Sequence, residues 1–151
     1  MALSKQMIPV KNFGGVVYHE RNAAEAGIYP GMALEIDSDN DYALFSTEGG
    51  KGPLFVAIED ALQGKTVGDV YVVEYPVRAM QFRPGEEFHG LVADGQDITH
   101  GEMLTRNAAG LFISAADSGD LDTKAVAQAL EDEDLSSGAS ALNVLVRMVA
   151  L

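Results

Sequence analysis

The stretch that decides the fold is Gly31-Met32-Ala33-Leu34, because it returns later in the chain as Gly101-Glu102-Met103-Leu104. Three further matches follow in the same order, at offsets of up to 74 residues. Leu44-Phe45 matches Leu111-Phe112, and 57–60 matches 129–132. Gly64 followed by 69–72 matches Gly138 followed by 143–146. Four matches in one order indicate a duplicated β unit. Two copies are too few for a solenoid, which needs at least about three repeats. We therefore expect two half-units that close on each other as one compact body.

The composition fits one folded domain without covalent cross-links. The chain has 151 residues, 47% of them hydrophobic, and it has neither Cys nor Trp, which excludes disulfides and thiolate metal sites. Its net charge of −13 argues against direct contact with nucleic acid. No stretch approaches the roughly 20 apolar residues of a membrane helix, and no window resembles a signal peptide. We expect a soluble protein without membrane contact.

Apolar residues alternate with a period of about two, which is typical of strands. Turn residues separate short strands about every ten residues, a spacing typical of barrels and sandwiches. We therefore predict a mainly β protein: a compact β-barrel or β-sandwich (β-tulip-like) from two duplicated half-units, with at most one or two short helices. An extended N-terminal arm over 1–15 precedes a single β domain over 16–151, with half-units at about 29–77 and 99–151. The predicted strands begin at 16 and cover 32–36, 42–46, 70–77, 88–92, 103–105, 111–114 and 142–149, while 54–60 is ambiguous.

Two groups of polar residues are candidates for a metal site. The run Asp37-Ser38-Asp39-Asn40-Asp41, with Glu48 at the twelfth position, has the oxygen spacing of a calcium loop. Tyr42 stands where that loop needs Gly, so a solvated hairpin turn is the better interpretation, and a weak cation site stays open. His89 and His100 lie among acidic residues, so a carboxylate–imidazole metal site is conceivable, but random surface placement is the better interpretation. We expect no catalytic residue, no metal, no cofactor and no enzymatic activity.

The segment from Gly90 to Leu104 resembles the turn-and-strand repeat of biotinyl and lipoyl carrier domains. Those carriers expose a lysine at a hairpin tip, whereas the one lysine after residue 65 is Lys124, in a Thr-Lys-Ala context. The resemblance therefore covers the β turn and not the modification. A carrier or ligand-binding barrel stays as an alternative.

A second resemblance takes in most of the chain. Tyr29-Pro30-Gly31, followed by a strand, a polar hairpin and a second strand, resembles the opening of small head-decoration proteins of tailed bacteriophages. The closing pattern of that family is similar to 127–132, Gly138 and then Val144-Leu145-Val146-Arg147-Met148. This chain departs from the smaller members in its internal duplication and in the residues 78–100 between the half-units.

The resemblance implies a structural virion protein that binds the exterior of the expanded capsid and bridges subunits of the major capsid protein. It implies a homotrimer on the outer capsid surface, made in the cytoplasm of the bacterial host. The N-terminal arm is the expected partner-binding segment, through apolar contacts or by adding a strand to a capsid edge. Lys5 and Lys11 would steer it toward acidic surface; the alternatives are that its apolar residues pack on their own barrel, or that the chain belongs to a tail or baseplate. The expected contact residues are Lys5, Met7, Ile8, Val10, Lys11 and Phe13.

Overall fold

The computed structural model describes residues 7–13, 18–118, 125–137 and 144–151. Within them the chain is built of short strands and a single 3-10 turn, Ala61–Gln63. The prediction of a mainly β fold is confirmed. The strands, in chain order, are β1 (Pro9–Lys11), β2 (Tyr18–Asn22), β3 (Ala33–Ile36), β4 (Tyr42–Leu44), β5 (Phe55–Ala57), β6 (Pro76–Gln81), β7 (Glu87–Val92), β8 (Asp97–Ile98), β9 (Met103–Arg106), β10 (Phe112–Ser114), β11 (Ala127–Ala129), β12 (Glu133–Asp134) and β13 (Val144–Ala150).

The second half of the chain forms a closed five-stranded barrel. Its strands pair in the order β7-β10-β9-β11-β13, and β13 pairs again with β7 to close the ring. All contacts are antiparallel except β10 with β7, which are parallel at Phe112 and Val92. A short pair, β8 with β12, lies outside this ring. Closure pairs the two end strands of the ring with each other, while β1, which pairs with β7 from outside the ring, stands at the edge of the sheet.

The first half repeats the same pairing order. Its strands follow β2-β6-β5-β3-β4, all antiparallel, and a parallel bridge between Ala23 and Tyr42 returns β4 to the end of β2. Each strand of one barrel therefore has a counterpart in the other, and the predicted duplication is confirmed. The two barrels span 18–81 and 87–150. Each barrel therefore begins one barrel strand earlier than the corresponding predicted half-unit, 29–77 or 99–151.

The hairpins after β3 and β9 match residue by residue at an offset of 70. In each, the first side chain accepts two backbone amides: Asp37 Oδ1 from Asp39 and Asp41, and Asn107 Oδ1 from Ala109 and Leu111. The left-handed position is Asn40 in one and Gly110 in the other, both at φ 70°. This offset pairs Tyr42 with Phe112, so the match of Leu44-Phe45 with Leu111-Phe112 is wrong by three residues.

The segment 70–77 is not one strand, although its β-branched and aromatic residues predict one. Only Pro76 and Val77 belong to a strand, β6, and 70–75 form a loop. The counterpart of β6 is β13, so the match of 69–72 with 143–146 does not pair equivalent elements. The anchors that hold this loop are described with the site below.

One large apolar cluster is shared by the two barrels, and the first barrel also has a smaller core of its own. Neighbouring residues of a strand face opposite sides, and in the first barrel Leu34, Ala57 and Ala79 fill its own core. Their neighbours Ala33, Val56 and Met80 join the larger apolar cluster with the second barrel. Burial of this continuous cluster from both barrels favours one compact body over two independent ones.

Close backbone contacts and one buried cation join the first barrel to the second. A Cβ at Gly110 would lie 2.7 Å from the Ala33 carbonyl oxygen, so only glycine fits there. The buried Arg106 guanidinium lies 3.7 Å from the centre of the Phe45 ring and donates to the Pro53 and Gly50 carbonyls. Burial lowers the pKa of Arg106 to about 10, so it stays charged at neutral pH. Its contacts fix the loop before β5 against the second barrel.

Candidate functional site

The described part of the N-terminal arm lies along the second barrel. Its strand β1 pairs antiparallel with β7, with Pro9 opposite Phe88 and Lys11 opposite Glu87. The backbone amide of His89 donates to the Ile8 carbonyl at 2.8 Å. The backbone of β7 is therefore occupied on this side by the chain's own arm.

Side chains of the body fasten the arm at three points. Glu59 Oε2 accepts the Ile8 amide at 3.0 Å, and the buried Glu86 accepts the Phe13 amide at 3.1 Å through Oε1. His89 Nδ1 lies 2.6 Å from the Met7 carbonyl oxygen. Because a carbonyl oxygen can only accept, the proton in this contact is on Nδ1. Two carboxylates and one imidazole thus hold backbone groups of the arm and leave most of its side chains available.

The predicted contact residues divide into a buried anchor and an exposed face. Ile8 is fully buried in the shared core, so its side chain is not available to a partner while the arm is docked. Met7, Val10 and Phe13 are exposed by 60%, 39% and 53%. Lys11 is exposed, with its ammonium 5.4 Å from the centre of the Phe13 ring. Lys5 lies outside the described residues.

A second apolar surface was missed by sequence reasoning because its residues were assigned to a strand. We call it the apolar patch: four residues of the loop before β6, Val70, Val72, Val73 and Tyr75. The most exposed are Tyr75 at 63% and Val72 at 56%. Large apolar side chains gathered in one loop are typical of protein interaction sites. The signal in the sequence is the uninterrupted apolar run 70–73, which lacks the alternation of a half-buried strand.

The loop is held in place by a buried tyrosine and a tight turn. The Tyr71 amide donates to the Ile28 carbonyl at 2.9 Å, and its hydroxyl donates to the Ile58 carbonyl at 2.6 Å. Burial raises the pKa of Tyr71 to about 12. Glu74 takes a left-handed conformation, φ 67°, and its amide donates to Ala23. The chain reverses between Tyr71 and Pro76, which turns the residues between them outward.

The polar candidates do not converge on a cation. Asp37 uses its Oδ1 for the amides of its own hairpin turn, as the turn interpretation predicts. His100 is exposed, and its amide is bound by Asp132, whereas His89 holds the arm. Among the described residues, no three His, Cys, Asp or Glu side chains are grouped so that they could hold a metal ion. No helix in this part of the chain is long and apolar enough to cross a membrane.

The arrangement of strands is similar to that of a solved phage protein. No protein-family model matches the chain, and no curated protein matches it. The crystal structure of the head fiber gp8.5 N base of bacteriophage phi29 aligns with a TM-score of 0.57 at 14% sequence identity. The alignment covers 91% of this chain and 95% of that one. At this identity the likeness establishes a shared fold, which extends over nearly the full length of both chains.

Proposed function

We propose that this chain is a structural protein of a bacteriophage head that binds the exterior of the expanded capsid. The observation that carries the proposal is the end-to-end fold likeness to the base of a head fiber. A duplicated barrel pair is a specific architecture, and a match over 91% of the chain includes both barrels and their connection. Sequence features of head-decoration proteins, found at both ends of the β domain, support the same assignment.

The docked arm is the proposed contact with the major capsid protein. Its exposed face combines Met7, Val10 and Phe13 with the positive charge of Lys11. Residues 1–19 contain Lys5 and Lys11 and no acid, while the rest of the chain carries the whole acidic excess. An apolar strip with a cation suits an acidic capsid surface. Because one edge of β1 pairs with β7, strand addition to a capsid edge would use the other edge of 9–11.

The proposed assembly is a homotrimer that bridges capsid subunits. Many identical sites on a shell multiply a modest affinity at each site, so a small arm contact is sufficient when three arms bind together. The net charge of −13 supports a protein partner and not nucleic acid. The proposed location is the outer capsid surface of the virion, after synthesis in the host cytoplasm.

Two alternative functions are a carrier domain and a tail or baseplate component. A carrier domain needs a lysine at a hairpin tip, and the two equivalent tips here present Ser38-Asp39-Asn40 and Ala108-Ala109-Gly110. That composition disfavours a carrier. A tail or baseplate component uses the same kind of β fold, so the site of attachment on the virion distinguishes it from a head protein.

Co-sedimentation with capsids tests the proposal. Purified chain is mixed with expanded and unexpanded capsids of the phage that encodes it. We expect saturable binding to expanded shells at a fixed ratio to the capsid subunit, and weaker binding of the Phe13→Ser variant. Ile36→Ser is a matched control, because Ile36 is an exposed apolar residue at the end of β3, away from the arm. Absence of binding to both shells would contradict the proposal.

A further inference from the structure

The edge of β2 in the first barrel is the counterpart of the β7 edge in the second. The parallel bridge that closes each barrel lies three residues after Glu20 in the first and three residues after His89 in the second. Across the antiparallel ladder, Glu20 lies opposite Arg78 and His89 lies opposite Arg147. Both pairs of equivalent residues are separated by the same offset of 69, so the two edges occupy the same place in the fold.

In the second barrel the chain's own arm covers this edge. The His89 amide donates to the Ile8 carbonyl at 2.8 Å, and Pro9 and Lys11 pair with β7 in the antiparallel direction. An extended segment therefore fits this edge of the barrel.

The backbone of Glu20 faces away from its barrel. The carbonyl of Arg78, opposite Glu20, accepts the Ile58 amide at 2.9 Å from the β5 side of β6. Residues opposite each other in an antiparallel ladder either exchange both hydrogen bonds or neither. The amide and carbonyl of Glu20 therefore point outward, and within the described residues the amide has no hydrogen-bond partner. β2 is also the end strand of its sheet.

Nothing in β2 itself blocks the addition of a strand. Its sequence contains no proline, and its ladder with β6 runs over five residues without a bulge. The opposite end of the same sheet is different: Glu25 accepts the Leu44 amide, and the Tyr42 carbonyl accepts the Ala24 amide. An edge strand with regular, unpaired backbone groups is a template for another strand.

The side chain at this edge indicates the chemistry of the occupant. His89 holds the Met7 carbonyl of the arm, whereas the equivalent Glu20 carboxylate can only accept. Glu20 is exposed, and Arg78 Nε lies 3.5 Å from its Oε1 and offsets part of its charge. The Arg21 guanidinium donates to a carbonyl of the hairpin after β3. On a chain with a net charge of −13, a segment with a basic side chain near Glu20 is favoured.

The open edge lies near the arm. Phe13 and Tyr18 are five residues apart, which limits their separation to roughly 17 Å. A protein that contacts the exposed face of the arm can therefore reach β2 with a neighbouring segment.

We propose that β2 binds an extended segment of a partner protein by strand addition. The segment runs antiparallel to β2, as β1 does to β7, and carries a lysine or arginine near Glu20. The identity of the partner rests on the proposed function, under which the segment belongs to the major capsid protein. The contact adds backbone hydrogen bonds to those that the arm face provides.

A synthetic peptide tests the edge without capsids. The probe has the sequence of 7–13, because that segment pairs with the equivalent edge in the second barrel. It is added at millimolar concentration to the full-length chain labelled with nitrogen-15. We expect the Glu20 amide signal to shift saturably and to become protected from hydrogen exchange. The His89 amide should change little, because the tethered arm outcompetes the free peptide there.

Substitutions at Glu20 separate the backbone contact from the charge. Glu20→Pro removes the outward amide, and this amide does not belong to the ladder with β6. Glu20→Gln keeps the amide and is the matched control. We expect Glu20→Gln to bind the peptide within about threefold of wild type, and Glu20→Pro at least about tenfold more weakly. Glu20→Lys keeps the amide but repels Lys11 of the peptide, so it should also weaken binding, and thermal unfolding checks that each variant folds.

Several outcomes would overturn the proposal. These are a peptide that leaves the Glu20 amide unprotected, and one that binds Glu20→Pro as tightly as Glu20→Gln. Protection of Glu20 that rises with the concentration of the chain alone would assign the edge to a second copy and overturn the choice of partner.

Co-sedimentation with expanded capsids separates this proposal from the proposed function. If the peptide binds β2 but wild type binds no capsid, the proposed function fails and the strand site stands. If Glu20→Pro binds capsids as tightly as Glu20→Gln, the capsid uses another surface. The inference then fails for this partner while the proposed function stands.

Discussion

The duplicated barrels make an internal experiment possible at Tyr42. Tyr42 and Phe112 occupy equivalent positions, at the start of β4 and β10, and both are fully buried. The only chemical difference between the two side chains is the hydroxyl group. The Tyr42 hydroxyl is buried and meets no partner among the described residues at full hydrogen-bond geometry, although the Arg21 guanidinium lies close enough to interact with it. Burial raises its pKa, and the nearby Arg21 guanidinium offsets only part of that effect.

Tyr42→Phe should therefore stabilise the protein. A buried hydroxyl without a partner costs about 1–3 kcal/mol, and the Arg21 charge recovers part of it. We expect a net gain of about 1 kcal/mol. With a urea m-value of about 2 kcal/mol/M for a chain of this size, the unfolding midpoint should rise by about 0.5 M with no change in m. Equilibrium urea unfolding followed by circular dichroism measures this shift.

The reverse substitution provides the control. Phe112→Tyr adds a hydroxyl to a ring that packs 5.6 Å from Phe88, centre to centre, in the second barrel. We expect it to destabilise the protein by about 1–3 kcal/mol. A loss of 1 kcal/mol or more in Tyr42→Phe would refute the reasoning, because it would mean that the hydroxyl has a partner that stabilises the first barrel.

Two further predictions concern the junction and the loop. Gly31→Ala should lower the free energy of unfolding by about 3 kcal/mol, because its φ of 91° is strained for alanine and the new Cβ would lie 2.6 Å from Leu145 Cδ2. Gly101→Ala, at φ 87° with open space around it, should lower that free energy by about 1 kcal/mol. Thermal or urea unfolding measures both losses, and equal losses would contradict tight packing at Gly31. For Tyr71, the folded pKa of about 12 lies above the ordinary value of 10.0, so the unfolded chain loses its proton first and stability falls as pH rises from 10 to 12. The stability difference between wild type and Tyr71→Phe should shrink over that range by roughly 2–3 kcal/mol, and a constant difference would contradict burial of the hydroxyl.

The repeat in the sequence predicts the duplicated architecture because both barrels form the same turns at equivalent positions. Gly31 and Gly101 both take left-handed conformations, and both donate to an alanine of the next matched segment, Ala57 or Ala129. The offset between β4 and β10 is harder to predict, since a chance Leu-Phe match suggests the wrong one. The true offset follows only from the backbone amides that Asp37 and Asn107 accept in the two hairpins.

Long-range contacts account for what the sequence does not predict. Residues 70–75 have the composition of a strand, but Tyr71 is held by two carbonyl groups from distant residues, and Glu74 needs a left-handed conformation for the turn. Tertiary contacts override local β propensity here. In the arm, Ile8 and Val10 look alike in sequence, and the pairing of β1 with β7 decides that Ile8 is buried. Such contacts join residues far apart in the chain.

Cryo-electron microscopy of expanded capsids saturated with the purified chain tests the central claim most directly. We predict density for the paired barrels on the outside of the shell, with Met7, Val10 and Phe13 facing the major capsid protein. No density for the chain on the shell, or contact with the shell through a face that excludes the arm, would contradict it.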